Sequence, residues 1–399
     1  MSNEHLLLIE CCKQVFLGGR SEFIKKLITD GINYNYLLQL SLVNRVSPTV
    51  YEVLINKNQL SSYFPRDFIS ELQKRFYITQ EENRIKQTAL FEILEESNRR
   101  KLKPVGIKGA SIIYSTYRKF SILRESRDLD ILLLEDDIRP FCAMLSEMGY
   151  IQGNFSSVDN KITAVTNDRL ADFEIQRPNH TWPFYKYTNL TGYALAVEPH
   201  RSIIYGNKKY QISTEEIVKS STSYEINGNK IYIPQLVHEL LILCLVAFSD
   251  YSSFENMKVK ADIRLRTYCD ILNLSMRLSN ENLWDDFYIC FMETNNQFPV
   301  YQILSFCEEL FDISLVPDDY FSEIKYLNDR KYSIHNMADF SSDMPIGYWN
   351  KNFKEIFSDD NRYYHALDIM FCNCINTHTS CVRNLKQKGK FIKLREFND

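Results

Sequence analysis

No stretch of this 399-residue chain approaches the ~20 consecutive apolar residues a membrane-spanning helix requires. Glycine and proline are scarce, at 12 and 11 residues, and no low-complexity linker or internal repeat divides the chain. Neither sign of charge dominates: 47 Lys and Arg stand against 51 Asp and Glu, a net charge of −4. No overall basic field recruits nucleic acid, although a local patch suffices to bind it. The opening "MSNEHLLLIECCKQVFLGG" lacks the basic n-region of a secretory signal, so none is expected. The ten cysteines lie mostly in apolar helical patterns, as reduced core thiols do, and a cytoplasmic location is expected. Cys372-Asn-Cys374, with His365 and His378 nearby, fits no common structural zinc spacing.

What is present is a core-forming composition, 45% hydrophobic and 25% charged. The 25 Tyr and 25 Phe are spread throughout and mark no stacking site by themselves. The periodicities predict an α+β protein: a helical region over 1–100, a compact α/β core over 101–233, and a helical region over 234–399. In the first region Ser47-Pro48 marks a helix start, and a longer helix is expected from Phe68 to Arg100. In the centre, "PVGI" and "LDILLL" read as buried strands, with "GASIIYSTY" a helix between them. "KITAVT", "LADFEIQ", "KKYQIS" and "NKIYIP" read as further strands, with turns at Gly206-Asn207 and Asn227-Gly228. "QLVHELLILCLVAFSDY", "KVKADIRLRTYCDILNLSMRL", "YQILSFCEELFDI" and "YYHALDIMFCNCI" return to helical spacing.

Asp128 and Asp130 stand two apart on one predicted strand, so both carboxylates face the same way. Such a pair repels itself unless a cation lies between, and a hard divalent ion such as Mg²⁺ takes oxygen ligands. Upstream, Gly109 closes a strand and opens a helix, where backbone N–H groups can approach a phosphate. A third carboxylate is offered by "ADFEIQ", where Glu174 is central and Asp172 the alternative. Three carboxylates, a glycine turn and metal ions are the parts that in-line attack of a hydroxyl on an α-phosphate needs. The bland alternative is a solvated strand end whose acids pair with Arg124 and Arg127. Lys108 is placed to contact phosphate, and Lys260 and Arg264 are expected at i and i+4 of one helix that also carries Asp270. Asp136 and Asp137 read as the N-cap and first-turn acids of the next helix. The basic tail "KQKGKFIKLR" reads as a solvated end.

These residues resemble a known group. Lys108-Gly109-Ala110 and Arg124-Glu-Ser126-Arg-Asp128-Leu-Asp130 are similar to the glycine motif and the Arg-x-Ser-x-Asp-x-Asp run of an uncharacterised nucleotidyltransferase family within the DNA polymerase beta-like superfamily. The likeness spans roughly residues 35–275, including "LLQLSLVNRVSPTVYEVL" before the core and "HELLILCLVAFSDY" behind it. It implies a polymerase-beta-like core of mixed sheet and helices, an NTP such as ATP as donor, and Mg²⁺ (or Mn²⁺) as cofactor. Asp128, Asp130 and Glu174 would hold metal, and Lys108, Gly109, Ala110, Arg124 and Ser126 would bind the nucleotide. It further implies a bacterial setting and a small molecule, peptide or protein as acceptor. The alternatives are a toxin-type transferase acting on tRNA and a nucleotide-binding scaffold without turnover. Two departures stand out. The family often carries Glu-x-His on its third acidic strand, where this reading has Glu174-Ile-Gln176, and Ala110 supplies no hydroxyl for phosphate.

Overall fold

The computed structural model describes residues 1–18, 21–117, 123–204, 209–226, 229–317, 319–320, 327, 331–334 and 347–376. Five helices precede the core: α1 (Asn3–Phe16), α2 (Ser21–Thr29), α3 (Tyr34–Val43), α4 (Ser47–Tyr51) and the long α5 (Arg66–Arg99). Pro48 occupies the first turn of α4, where a missing N–H breaks no helical bond. The buried stripe of α5 is apolar at both ends and polar in the middle, where Thr79, Glu82, Asn83 and Lys86 replace leucine and phenylalanine. That polar middle is where the helix crosses the candidate site.

The core sheet has six strands in the order β1-β2-β6-β5-β3-β4. They are β1 (Val105–Gly106), β2 (Asp128–Leu132), β3 (Ile151–Ser156), β4 (Lys161–Ala164), β5 (Phe184–Tyr187) and β6 (Ala194–His200). β2 and β6 run parallel while every other pair is antiparallel, so the sheet is mixed as expected. Alternation sends Leu129, Ile131, Leu195 and Val197 to one face, into a cluster with Leu90 and Ile93 of α5 and Phe141 and Met144 of α7 (Glu135–Glu147). The opposite face carries Asp128, Asp130, Ala196 and Glu198. A separate hairpin pairs β7 (Thr222–Ile226) with β8 (Asn229–Ile233).

Behind the core lie α10 (Leu236–Tyr251), α12 (Leu265–Glu281), α13 (Trp284–Glu293) and α14 (Gln297–Phe311). Their apolar faces share one buried cluster with α1, α3 and α4. Among the described residues no helix is long and apolar enough to cross a membrane.

Four expectations are corrected. Residues 167–176 form a helix, α8 (Asn167–Gln176), rather than an acidic strand. The alternation of Ala171, Phe173 and Ile175 marks no buried face: Phe173 packs on His180 and Trp182, but Ile175 is 80% exposed. Described residues 209–213 of "KKYQIS" form no strand. The helix expected across Lys260 and Arg264 is broken, because α11 (Phe254–Lys258) ends before Lys260, whose φ is 53°, and Arg264 is the N-cap of α12. Leu134, not an aspartate, occupies the N-cap of α7, with Glu135, Asp136 and Asp137 filling its first turn. The turns at Gly206-Asn207 and Asn227-Gly228, His378 and the tail 386–395 lie outside the described residues, as do the side chains of Cys372 and Cys374.

Candidate active site

The parallel register sets Ala196 opposite Asp128 and Glu198 opposite Asp130. Partners across a ladder share a face, so Glu198 joins the aspartate pair, and His200 follows two residues later. One ligand-capable atom from each of Asp130, Glu198 and His200 lies within 4.8 Å of the others. His200 Nε2 is 2.8 Å from Asp130 Oδ1 and 3.8 Å from Glu198 Oε2. Since an ionised carboxylate only accepts, Nε2 carries the proton and donates. The buried Nδ1 of His200 has no hydrogen-bond partner among the described residues. Lys108 Nζ donates to the same Asp130 oxygen at 2.9 Å.

Charge is strained here. Burial and then the neighbouring Asp130 raise the Asp128 carboxyl above its ordinary range, against the pull of Lys108, Arg266 and Arg45. Burial also opposes ionisation of Asp130, but Lys108 and then His200 outweigh it and hold this carboxyl well below the usual range. Glu198 is pushed up to about 8 by burial, then by Asp128 and Asp130. Burial lowers His200, with Lys108 adding to it, so the ring is neutral. A cluster of acids in which one side chain is already held by a lysine, another is driven toward protonation, and an imidazole nitrogen is orphaned fits a divalent cation.

The glycine turn lies beside this cluster. Lys108 takes φ 51° and ψ −119°, a conformation that costs a residue with a side chain and recurs at functional sites. It precedes the short α6 (Gly109–Ile112). A Cβ on Gly109 would lie 2.6 Å from Ser126 Oγ and 2.9 Å from Arg124 Nη1, so only glycine fits against that segment. Ala110 is buried in the core.

Arg124 and Ser126, expected to reach nucleotide, lie in a segment gripped from several sides. Arg124 forms a buried pair with Asp270 of α12, Nε at 3.0 Å and Nη2 at 2.8 Å. Tyr117 hydroxyl donates to the same Asp270 at 2.7 Å. The Arg124 carbonyl accepts from Asn83, and that of Ser126 from Lys86 Nζ at 2.6 Å. Glu125 accepts from Ser47 and Arg75, and its carbonyl from Arg266. Arg124 Nη1 has no hydrogen-bond partner among the described residues. The segment thus fixes the start of β2 against both helical regions.

Asp172 and Glu174 stand elsewhere. Both are exposed on α8; Glu174 meets Arg201 at 3.3 Å and lines a separate cavity of about 440 Å³ with Glu135 and Arg139. Among the described residues neither touches Asp128 or Asp130. Glu198 is absent from the sequence reading; its strand, "ALAVEPH", carries Pro199, which argues against a central strand. The structure accommodates it: β5 pairs with β6 only at 194–197, leaving Pro199 beyond that ladder. The Glu-x-His spacing absent at 174–176 is met by Glu198-Pro199-His200.

A cavity of about 760 Å³ opens on Asp128 and Glu198. Its floor is Ala194, Ala196, Tyr185 and Phe155, and its walls include Arg45, Arg75 and Arg127. A family model described as an uncharacterised nucleotidyltransferase matches residues 30–312, which contain every part of this site. Neither the curated proteins nor the solved structures give a match.

Proposed function

The chain belongs to the uncharacterised nucleotidyltransferase family, and from that premise we propose that it moves a nucleoside monophosphate from an NTP to an acceptor hydroxyl. The supporting observation is the register that lines Asp128, Asp130 and Glu198 along one face of two parallel strands, next to the Lys108–Gly109 turn. Asp128, Asp130 and Glu198 would hold Mg²⁺ or Mn²⁺, which when bound supplies positive charge to the phosphates in transfer. In the reaction the acceptor oxygen bonds to the α-phosphorus, the bond to the β-phosphate oxygen breaks, and pyrophosphate leaves with the electron pair. Glu198, which lines the cavity beside Asp128, is the carboxylate placed to take the hydroxyl proton. His200 keeps Asp130 oriented through its Nε2–H. Lys108, held on Asp130, is one short side-chain movement from a phosphate at the glycine turn. Arg124 acts through position, locking the Asp strand to α12.

The test is incubation with each labelled NTP and Mg²⁺ or Mn²⁺, reading pyrophosphate release and thermal stabilisation. Both signals are expected with at least one NTP, and both are expected to vanish in Asp128→Asn. If no NTP stabilises the protein with either cation and no pyrophosphate appears, the proposal is wrong.

A further inference from the structure

The cavity on Asp128 and Glu198, also lined by Glu82 and Glu125, is walled by three arginines: Arg75 is paired with Glu125, and Arg45 and Arg127 have no ion-pair partner among the described residues. Arg45 follows the end of α3 with φ 55°. Its neighbour Asn44 ties that turn to the start of α12, accepting from Leu265 N–H through Oδ1 at 3.0 Å and from Arg266 N–H through its carbonyl. Arg45, Arg264 and Arg266 are thereby gathered from two distant parts of the chain, and Arg127 joins them from the start of β2. The side chains of Arg45, Arg127 and Arg264 make no hydrogen bond or ion pair among the described residues. Arg266 bonds only the Glu125 carbonyl, and its Nε is buried without a partner. Burial, then the charges of Arg266, Arg264 and Arg127, push the Arg45 guanidinium down to about 8. Arginine does not discharge at neutral pH, so the stress is relieved by an anion.

Position decides which anion. The glycine turn follows β1, on one side of β2, and the cavity floor is built from β6, β5 and β3 on the other. Asp128 and Glu198 line the cavity, but Lys108, Gly109 and Ala110 do not. In-line displacement puts the acceptor opposite the leaving pyrophosphate. With the donor's phosphates at the glycine turn, the acceptor enters over Tyr185 and Phe155, under Arg45 and Arg127. Resting on the transferase reading above, we propose that this cavity binds the acceptor and that the acceptor is a phosphorylated hydroxyl compound, its phosphate held by Arg45 and Arg127 with Arg264 and Arg266 behind them. Guanidinium forks from Arg45 and Arg127 on the wall of one cavity suit the three oxygens of a phosphate better than the two of a carboxylate. The aromatic floor, with the Phe155 and Tyr185 rings 6.2 Å apart, suits the carbon body of the compound.

The test titrates inorganic phosphate calorimetrically into the full chain preloaded with a non-hydrolysable NTP analogue and Mg²⁺. Arg45→Asn removes the charge while suiting the positive φ, and Arg127→Gln alters an exposed side chain that folding does not require. Phosphate is expected to bind the loaded protein, each variant to weaken it roughly tenfold, and the analogue's affinity to change less than about twofold. Competition between phosphate and analogue, or equal loss of analogue binding in the variants, would assign the arginines to the donor and overturn the proposal. Acetate binding as tightly as phosphate would overturn the phosphate class, and no phosphate binding would overturn the site. An analogue that binds with neither Mg²⁺ nor Mn²⁺ would instead bring down the transferase reading itself.

Discussion

Replacing Arg124 with methionine separates a strut from a ligand contact. The Arg124 and Asp270 side chains are 3% and 2% exposed, so almost no water reaches either charge. In Arg124→Met the Asp270 carboxylate keeps only the Tyr117 hydroxyl as a donor. Breaking a buried pair from one side leaves an uncompensated charge and costs about 3–5 kcal/mol. Removing both charges, in Arg124→Met with Asp270→Leu, also removes their desolvation. The remaining loss is then mainly the stranded Tyr117 hydroxyl, about 1–2 kcal/mol. Urea unfolding followed by circular dichroism reads these as midpoint shifts at unchanged slope. The double variant should therefore be more stable than the single one, an inversion that no additive account of two lost contacts produces. A single-variant loss below about 1 kcal/mol, or a double variant weaker than the single, would refute the reasoning. The folded double variant should also keep its NTP affinity; loss of that affinity would make Arg124 Nη1, beside the glycine turn, a phosphate contact instead.

Gly109→Ala forces a Cβ to 2.6 Å from Ser126 Oγ, and overpacking of this kind costs about 1–3 kcal/mol; a melt should show the loss and partial recovery on adding Ser126→Ala. Asp128→Asn removes a carboxylate that its surroundings drive toward protonation, so the metal-free protein should melt higher than wild type at neutral pH while losing stabilisation by NTP and metal. A lower metal-free melting temperature would contradict that electrostatic reading. Glu239, buried beneath Ser115 on α10, is raised by burial from 4.5 to about 7. The folded state keeps a proton there that the unfolded chain releases, so stability is fullest below 4.5 and falls by about 3 kcal/mol as pH climbs to 7. Glu239→Gln should abolish that fall, and identical pH profiles for variant and wild type would show the burial effect to be absent.

The order of elements around the aspartate pair was legible because its signal is local. A strand, a glycine, a helix and an acidic strand follow one another within Val105–Leu132, and each implies the next. The third acid is not local. "ADFEIQ" and "ALAVEPH" both offer acids among apolar residues, and a six-residue run fits a period of two or of 3.6 about equally well. What separates them is burial: Val197 is fully enclosed and Ile175 is 80% exposed. Pro199 by itself argues against a central strand, and only the pairing pattern shows that β6 has left β5 by residue 199.

The arginines were illegible for the same reason in stronger form. Arg45 carries no signal of its own, Arg127 reads as an ion-pair partner of the strand's acids, and Arg264 reads as a helix-face residue. Their meeting depends on Asn44 closing onto Leu265 and on residues 124–126 being held by helices from both ends of the chain. A carboxylate pair announces itself by its own repulsion, because the two charges share a strand. A cationic pocket assembled from three separate segments appears only once the helices that carry it have packed. The aspartate pair was therefore readable in sequence, and the grouping of the arginines was readable only in the fold.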